Sequence, residues 1–171
     1  MAITMYQASV PVFIQALQNL SAILHKGLAH AQARKTDPSV LVNMRLAADM
    51  LPLSRQIQIA TDNAKGPAAR LAGIDRPVYE DNETTFDELQ ARIAKTIAFL
   101  RSIKPEQIDG SEDRIVTLPL RGTEVKFRGQ PYLLHFALPN FFFHATTAYA
   151  ILRHAGVEIG KLDFLGALPT E

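Results

Sequence analysis

The chain has 171 residues, with 18 Lys+Arg against 17 Asp+Glu, 47% hydrophobic residues, 10 Pro, 9 Gly, and neither Cys nor Trp. That length suits a single domain over residues 1–171 with a real core; the balanced charge excludes a generally basic nucleic-acid binder, and the half-apolar composition excludes a disordered or fibrous chain. Without cysteine there is no disulfide framework, no thiolate nucleophile and no Cys-ligated zinc or iron–sulfur site.

The N-terminal segment lacks an early Lys/Arg cluster, and Gln7, Gln15, Gln18 and Asn19 interrupt its apolar residues. It therefore fails as a secretory signal, and a cytoplasmic location is the default expectation. Residues 10–31 place Val10, Phe13, Ile14, Leu17, Leu20, Leu24, Leu28 and Ala31 three or four apart, which predicts a first long helix with Ser9 as N-cap and Pro11 in its first turn. Asp37-Pro38 opens a short helical piece, SVLVNMRLA. Asp49 then reads as the cap of a second long helix running toward Gly66-Pro67, where Pro67 should end or kink it, with ARLA as a last turn closed by Gly73.

Residues 74–84 are acidic and contain a proline, as expected of an exposed crossover. Thr85-Phe86-Asp87-Glu88 fits a capping box and starts a third helix, whose buried stripe is Phe86, Leu89, Ile93, Ile97, Leu100 and Ile103, with Glu88 and Arg92 on its wet side. After Pro105, residues 114–120 and 124–129 read as a β-hairpin around Arg121-Gly122-Thr123. Gln130-Pro131 opens a fourth helix running to His154 and stopped by Gly156, its near absence of charge marking it as the innermost.

Tyr132 to Leu152 carries no Asp, Glu, Lys or Arg over about the length of a membrane span, but His135, His144, Pro139, Asn140, Thr146 and Thr147 would be costly in lipid. A helix inside a bundle is the better reading. Four helices, one long connection and one hairpin predict an all-α four-helix bundle with a crossover; the single β-like region sets a doubly wound α/β fold aside.

Candidate chemistry gathers on the fourth helix, where Asn140, His144 and Thr147 fall at i, i+4 and i+7 on one face. These residues suit a site in the bundle core, and equally a hydrogen-bonded core histidine beside an asparagine that satisfies the carbonyl freed by Pro139. On the second helix Gln56 follows Asp49 by seven residues and Asp62 faces elsewhere; Gln56 and Asp62 suit either a polar pocket or water. No His pair stands at i,i+3 or i,i+4, no Gly-rich phosphate loop occurs, and no Ser/His/Asp arrangement stands out. The run Phe141-Phe142-Phe143 covers more than one side of its helix, so the hairpin or a second subunit must cover the surplus.

Two stretches, PYLLHFALPNFFFHATTAYAILRHAGVEIGKLDFLG and ADMLPLSRQIQIATDNAKGPAARLAG, resemble a bacterial domain-of-unknown-function family within the DinB/YfiT-like metalloenzyme superfamily. The resemblance spans nearly the whole chain. It implies a four-helix bundle with a long crossover, frequent homodimers and, in active branches that include thiol-dependent transferases and isomerases, a divalent metal held by one His of helix 2 and an H-x-x-x-H pair on helix 4. Matching Leu152-Arg153 to the end of that helix puts the two imidazole positions on Asn140 and His144, and helix 2 offers no His. The expectation is a metal-free homodimeric bundle that binds a small ligand or partner through Gln56, Asn140, His144 and Thr147, with no nucleic acid or membrane partner. The alternative is a divalent-metal-dependent transferase or hydrolase-like enzyme, with His144, Asn140 and Asp49 or Asp62 as ligands, or a metal-free enzyme with His144 as general base.

Overall fold

The computed structural model describes residues 2–120 and 122–167. Helix α1, Val10–Ala33, buries Val10, Phe13, Leu17, Leu20, Leu24 and Ala31 along the predicted stripe. Ser9 holds the N-cap position without capping, because its hydroxyl donates back to the carbonyls of Met5 (2.6 Å) and Tyr6 (3.2 Å). Helix α2, Pro38–Val42, starts from Asp37, whose carboxylate accepts the Ser39 N–H at 2.8 Å. It is shorter than its sequence suggests. Asn43 occupies the C-cap and its amide donates to the Ser39 carbonyl at 2.9 Å, a local bond that competes with further helix.

Helix α3, Leu53–Ala72, does not begin at an Asp49 cap; Pro52 takes the N-cap position and Asp49 is exposed in the preceding turn. The residue before a proline is pushed out of the helical region, so Leu51 cannot continue a helix into Pro52. Pro67 does not end α3, which runs on to Gly73 at φ 68°, where the Ile74 N–H closes on the Ala69 carbonyl at 3.0 Å. Helix α4, Phe86–Ser102, carries the predicted capping box: the Thr85 hydroxyl accepts the Glu88 N–H (3.2 Å) and Glu88 accepts the Thr85 N–H (2.9 Å). Arg92, expected on the wet side, is fully buried.

A short helix, α5 (Pro105–Ile108), leads to strands β1 (Ile115–Leu120) and β2 (Thr123–Arg128), paired antiparallel with Leu120 opposite Thr123 and Gly122 at φ 81°. Arg121 of the expected turn lies outside the described residues. Helix α6, Gly129–Tyr132, passes through a π-helical stretch, Leu133–Ala137, into α7, Leu138–His154. Just before Pro139 the helix widens: the Leu138 N–H reaches the Leu133 carbonyl, five residues back, letting carbonyls pass over the donor that proline lacks. The Val157 N–H returns to the Leu152 carbonyl at 3.1 Å over Gly156 (φ 91°), ending α7, and α8 (Lys161–Leu165) follows.

α7 packs chiefly on α3, α4 packs on both α1 and α3, and the hairpin lies against the α6 end. Phe141 is buried edge-on against Phe13 (centroids 5.1 Å apart), and β2 lays Phe127 over Tyr132 (5.9 Å) and Phe136 (5.6 Å). The hairpin thus covers part of the aromatic surplus, while Phe143 stays 56% exposed. No helix among the described residues is long and apolar enough to cross a membrane.

Candidate functional site

The α3–α7 seam brings Gln56 and His144 together, with His144 Nδ1 2.7 Å from Gln56 Oε1. Gln56 is buried, and its own Nε2 donates to the Leu51 carbonyl at 3.0 Å, which turns Oε1 toward the imidazole. An amide oxygen only accepts, so Nδ1 carries the proton and Nε2 the lone pair. Nε2 has no partner among the described residues, yet it is not sealed from solvent. Burial holds the His144 pKa below the ordinary 6.5, and the Phe143 ring packs edge-on at 5.1 Å. The result is a neutral imidazole with one nitrogen anchored and the other available as an acceptor or base.

The other predicted site residues separate. Asn140 is half-buried one turn before His144 and its amide makes no hydrogen bond among the described residues. Thr147 is buried, and its hydroxyl donates to the Phe143 carbonyl at 2.7 Å. It lines a surface depression of about 440 Å³ with Leu46, Phe142, Phe143, Thr146 and Ala150. Asp49 is exposed outside α3, and Asp62 Oδ1 meets Lys65 Nζ one turn on along α3 at 2.8 Å and Arg92 Nη2 of α4 at 2.9 Å.

Asp62 belongs to a charge cluster, centred on the buried Arg92, Lys65 and Glu83, that sequence reasoning missed. Arg92 Nη1 bonds both Glu83 oxygens at 3.1 Å and the Glu80 carbonyl at 3.0 Å, Nη2 reaches Asp62 and Asp81 (3.0 Å), and Nε donates to Thr61 at 2.7 Å. Gln58 donates to Glu83 at 2.9 Å, Arg55 holds Asp81 at 2.7 Å, and Lys65 donates to the Pro77 carbonyl at 2.9 Å while lying over the Tyr79 ring. Burial alone would raise the Asp81 carboxyl, but Arg55 and Arg92 outweigh it and hold it below its ordinary value. Burial pushes Lys65 down, against the pull of Asp62. Three cations and three carboxylates thus tie the crossover to α3 and α4. The signal was present in Arg92 standing one residue from the apolar Ile93, and in the acids of 80–83 meeting the cations of α3 and α4.

A family profile described as "Domain of unknown function (DUF1993)" matches residues 5–165. The chain belongs to the DUF1993 family. A solved structure, that of a DinB family member protein from Shewanella denitrificans, is 42% identical, with a TM-score of 0.91 over 97% of this chain and 94% of that one. The DUF1993 chain accordingly has a DinB-like helical fold. No curated protein matches it.

The donor set of this DUF1993 chain does not fit the divalent metal that the superfamily implies. The imidazole of His144 is bonded to the Gln56 amide, and the described residues contain no group of three or more His, Cys, Asp or Glu able to hold a metal. Zinc and nickel select imidazole, thiolate or carboxylate donors, and amide oxygens are poor substitutes.

Proposed function

We propose that this DUF1993 protein works without a resident metal, as a homodimer that binds a small ligand or partner beside the α3–α7 seam. The observation that carries the reading is the Gln56–His144 hydrogen bond: a neutral amide fills the place from which a second metal-directed donor would have to come. The imidazole then offers Nε2 as an acceptor, Asn140 adds an amide on the same helix face, and Thr147 borders the neighbouring apolar depression. Exposed Phe143, Leu46 and Leu51 support a second copy as the cover of that side.

Elemental analysis of the purified protein tests the metal-free reading, which expects no stoichiometric transition metal before or after His144→Ala. Close to one equivalent of zinc or nickel, lost on His144→Ala, would overturn it and restore the metal-dependent transferase or hydrolase reading. A metal-free enzyme with His144 as general base is the second reading, favoured by the neutral imidazole and its solvent-reachable Nε2. Covalent labelling of Nε2 by diethyl pyrocarbonate separates it from a sealed structural histidine, which would not react in the folded protein.

A further inference from the structure

The cations of the charge cluster are each matched by carboxylates within 3.1 Å, but two arginines near the far end of α3 are not. Arg70 is half-buried, and its Nη1 donates to the hydroxyl of Tyr132 at 3.3 Å; Arg76 follows on the crossover. Both lie against Gly66, where a Cβ would sit 2.8 Å from Arg70 Nη1 and 3.5 Å from Arg76 Cδ. Neither makes an ion pair among the described residues, and neighbouring Asp75 is exposed and makes none either. Tyr132 is 99% enclosed (1% exposed) and accepts from Arg70, so its own O–H hydrogen has no acceptor among the described residues. Burial raises the phenol pKa against the pull of Arg70 and Arg76, so the hydroxyl stays protonated and able to donate.

The negative end of α3 does not already satisfy this charge. Its last carbonyls are taken by the Gly73 and Ile74 N–H groups and by the Arg114 guanidinium, which donates to Leu71. We propose that Arg70, Arg76 and the Tyr132 hydroxyl form a binding site for a small oxyanion, a carboxylate or a phosphate, at the C-terminal end of α3. Two guanidinium groups supply charge and planar N–H donors, the phenol supplies an O–H, and the missing Cβ of Gly66 lets both arginine side chains pass over the same point of α3. The site stands apart from the α3–α7 seam and does not rest on the function proposed for it.

The test is calorimetric titration of the full chain at low ionic strength with inorganic phosphate and, separately, with acetate, using chloride at matched ionic strength as reference. Saturable binding of one anion beyond the chloride response is expected, and whichever anion binds identifies the class. Arg76→Gln, an exposed change, should weaken it by about tenfold, and Tyr132→Phe, which keeps the ring against Phe127 and Phe136, should weaken it by about fivefold or more. No response beyond chloride to either anion, or a response that both variants leave unchanged, would overturn the site.

Discussion

Protonating His144 sets the folded chain against its own hydrogen bond and its own burial. Its folded pKa lies below the ordinary 6.5, so above that pH the imidazole is neutral in both folded and unfolded chains and carries no penalty. As pH falls through 6.5 the unfolded chain takes the proton first, and stability is lost until the lower folded value is reached. Urea unfolding from pH 8 to pH 5 should therefore show a decline that His144→Gln reduces; equal slopes would mean that the imidazole is not held neutral. Removing the ring altogether leaves the buried Gln56 Oε1 without its donor, and His144→Ala should cost about 1–3 kcal/mol at pH 8 in the same assay. Most of this pair was legible: the i,i+4 spacing put Asn140 and His144 on one face, and Gln56 was singled out on its own helix. What spacing could not supply was the partnership itself, because Gln56 and His144 are 88 residues apart and meet only once α3 packs on α7.

Among the elements, the crossover changes most between sequence and structure. Its composition reads as a solvated connection, and most of residues 74–82 are exposed, yet Pro77, Glu80, Asp81 and Glu83 all engage Lys65 or Arg92. Deleting one partner of a buried ion-pair network strands the others, so Arg92→Met should destabilise the protein by about 3–5 kcal/mol, measured by urea unfolding. In the conservative Arg92→Lys, a single ammonium cannot span Thr61, Glu83, Asp62 and Asp81 at once, and partial loss is expected. Proteolysis reads the same contact differently. Cleavage within 74–84, identified by fragment mass, should accelerate in Arg92→Ala well beyond cleavage in α1, whereas uniform acceleration would mean global unfolding and no specific latch. The signals that did fix elements were short-range: Thr85 with Glu88, Gly73 and Gly156 close their helices through partners within five residues. Arg92 was misplaced because its partners sit 9 to 34 residues away, while Glu88 four residues before it offers a local acid and makes the pair read as a surface i,i+4 bridge. Asp49 was misplaced for a local reason, since the constraint Pro52 puts on Leu51 outranks a favourable cap residue.

At the scale of the whole molecule, the aromatic surplus divides in two. The hairpin lays Phe127 across Tyr132 and Phe136, and Phe143 remains outward beside Leu46. If a second copy covers that side, light scattering at micromolar concentration should report about twice 18.9 kDa, and Phe143→Ser should move the particle toward the single-chain mass. A wild-type particle at the single-chain mass would remove the homodimer from the proposed function. The π-helical stretch carries a further consequence for how the last long helix is phased. One added residue per turn advances everything before Leu133 by about 100° around the axis relative to α7. Tyr132 and the hairpin are thus aimed on one setting, and His144 and Thr147 on another, along a single continuous rod. Deleting exposed Leu134 would restore an ordinary helical ladder while keeping its length nearly constant. The expected product retains its far-ultraviolet helical signal but swings Tyr132, with Phe127 of the hairpin beside it, out of reach of Arg70 on α3. The two ends of this helix can then be retuned against each other by the gain or loss of a single codon.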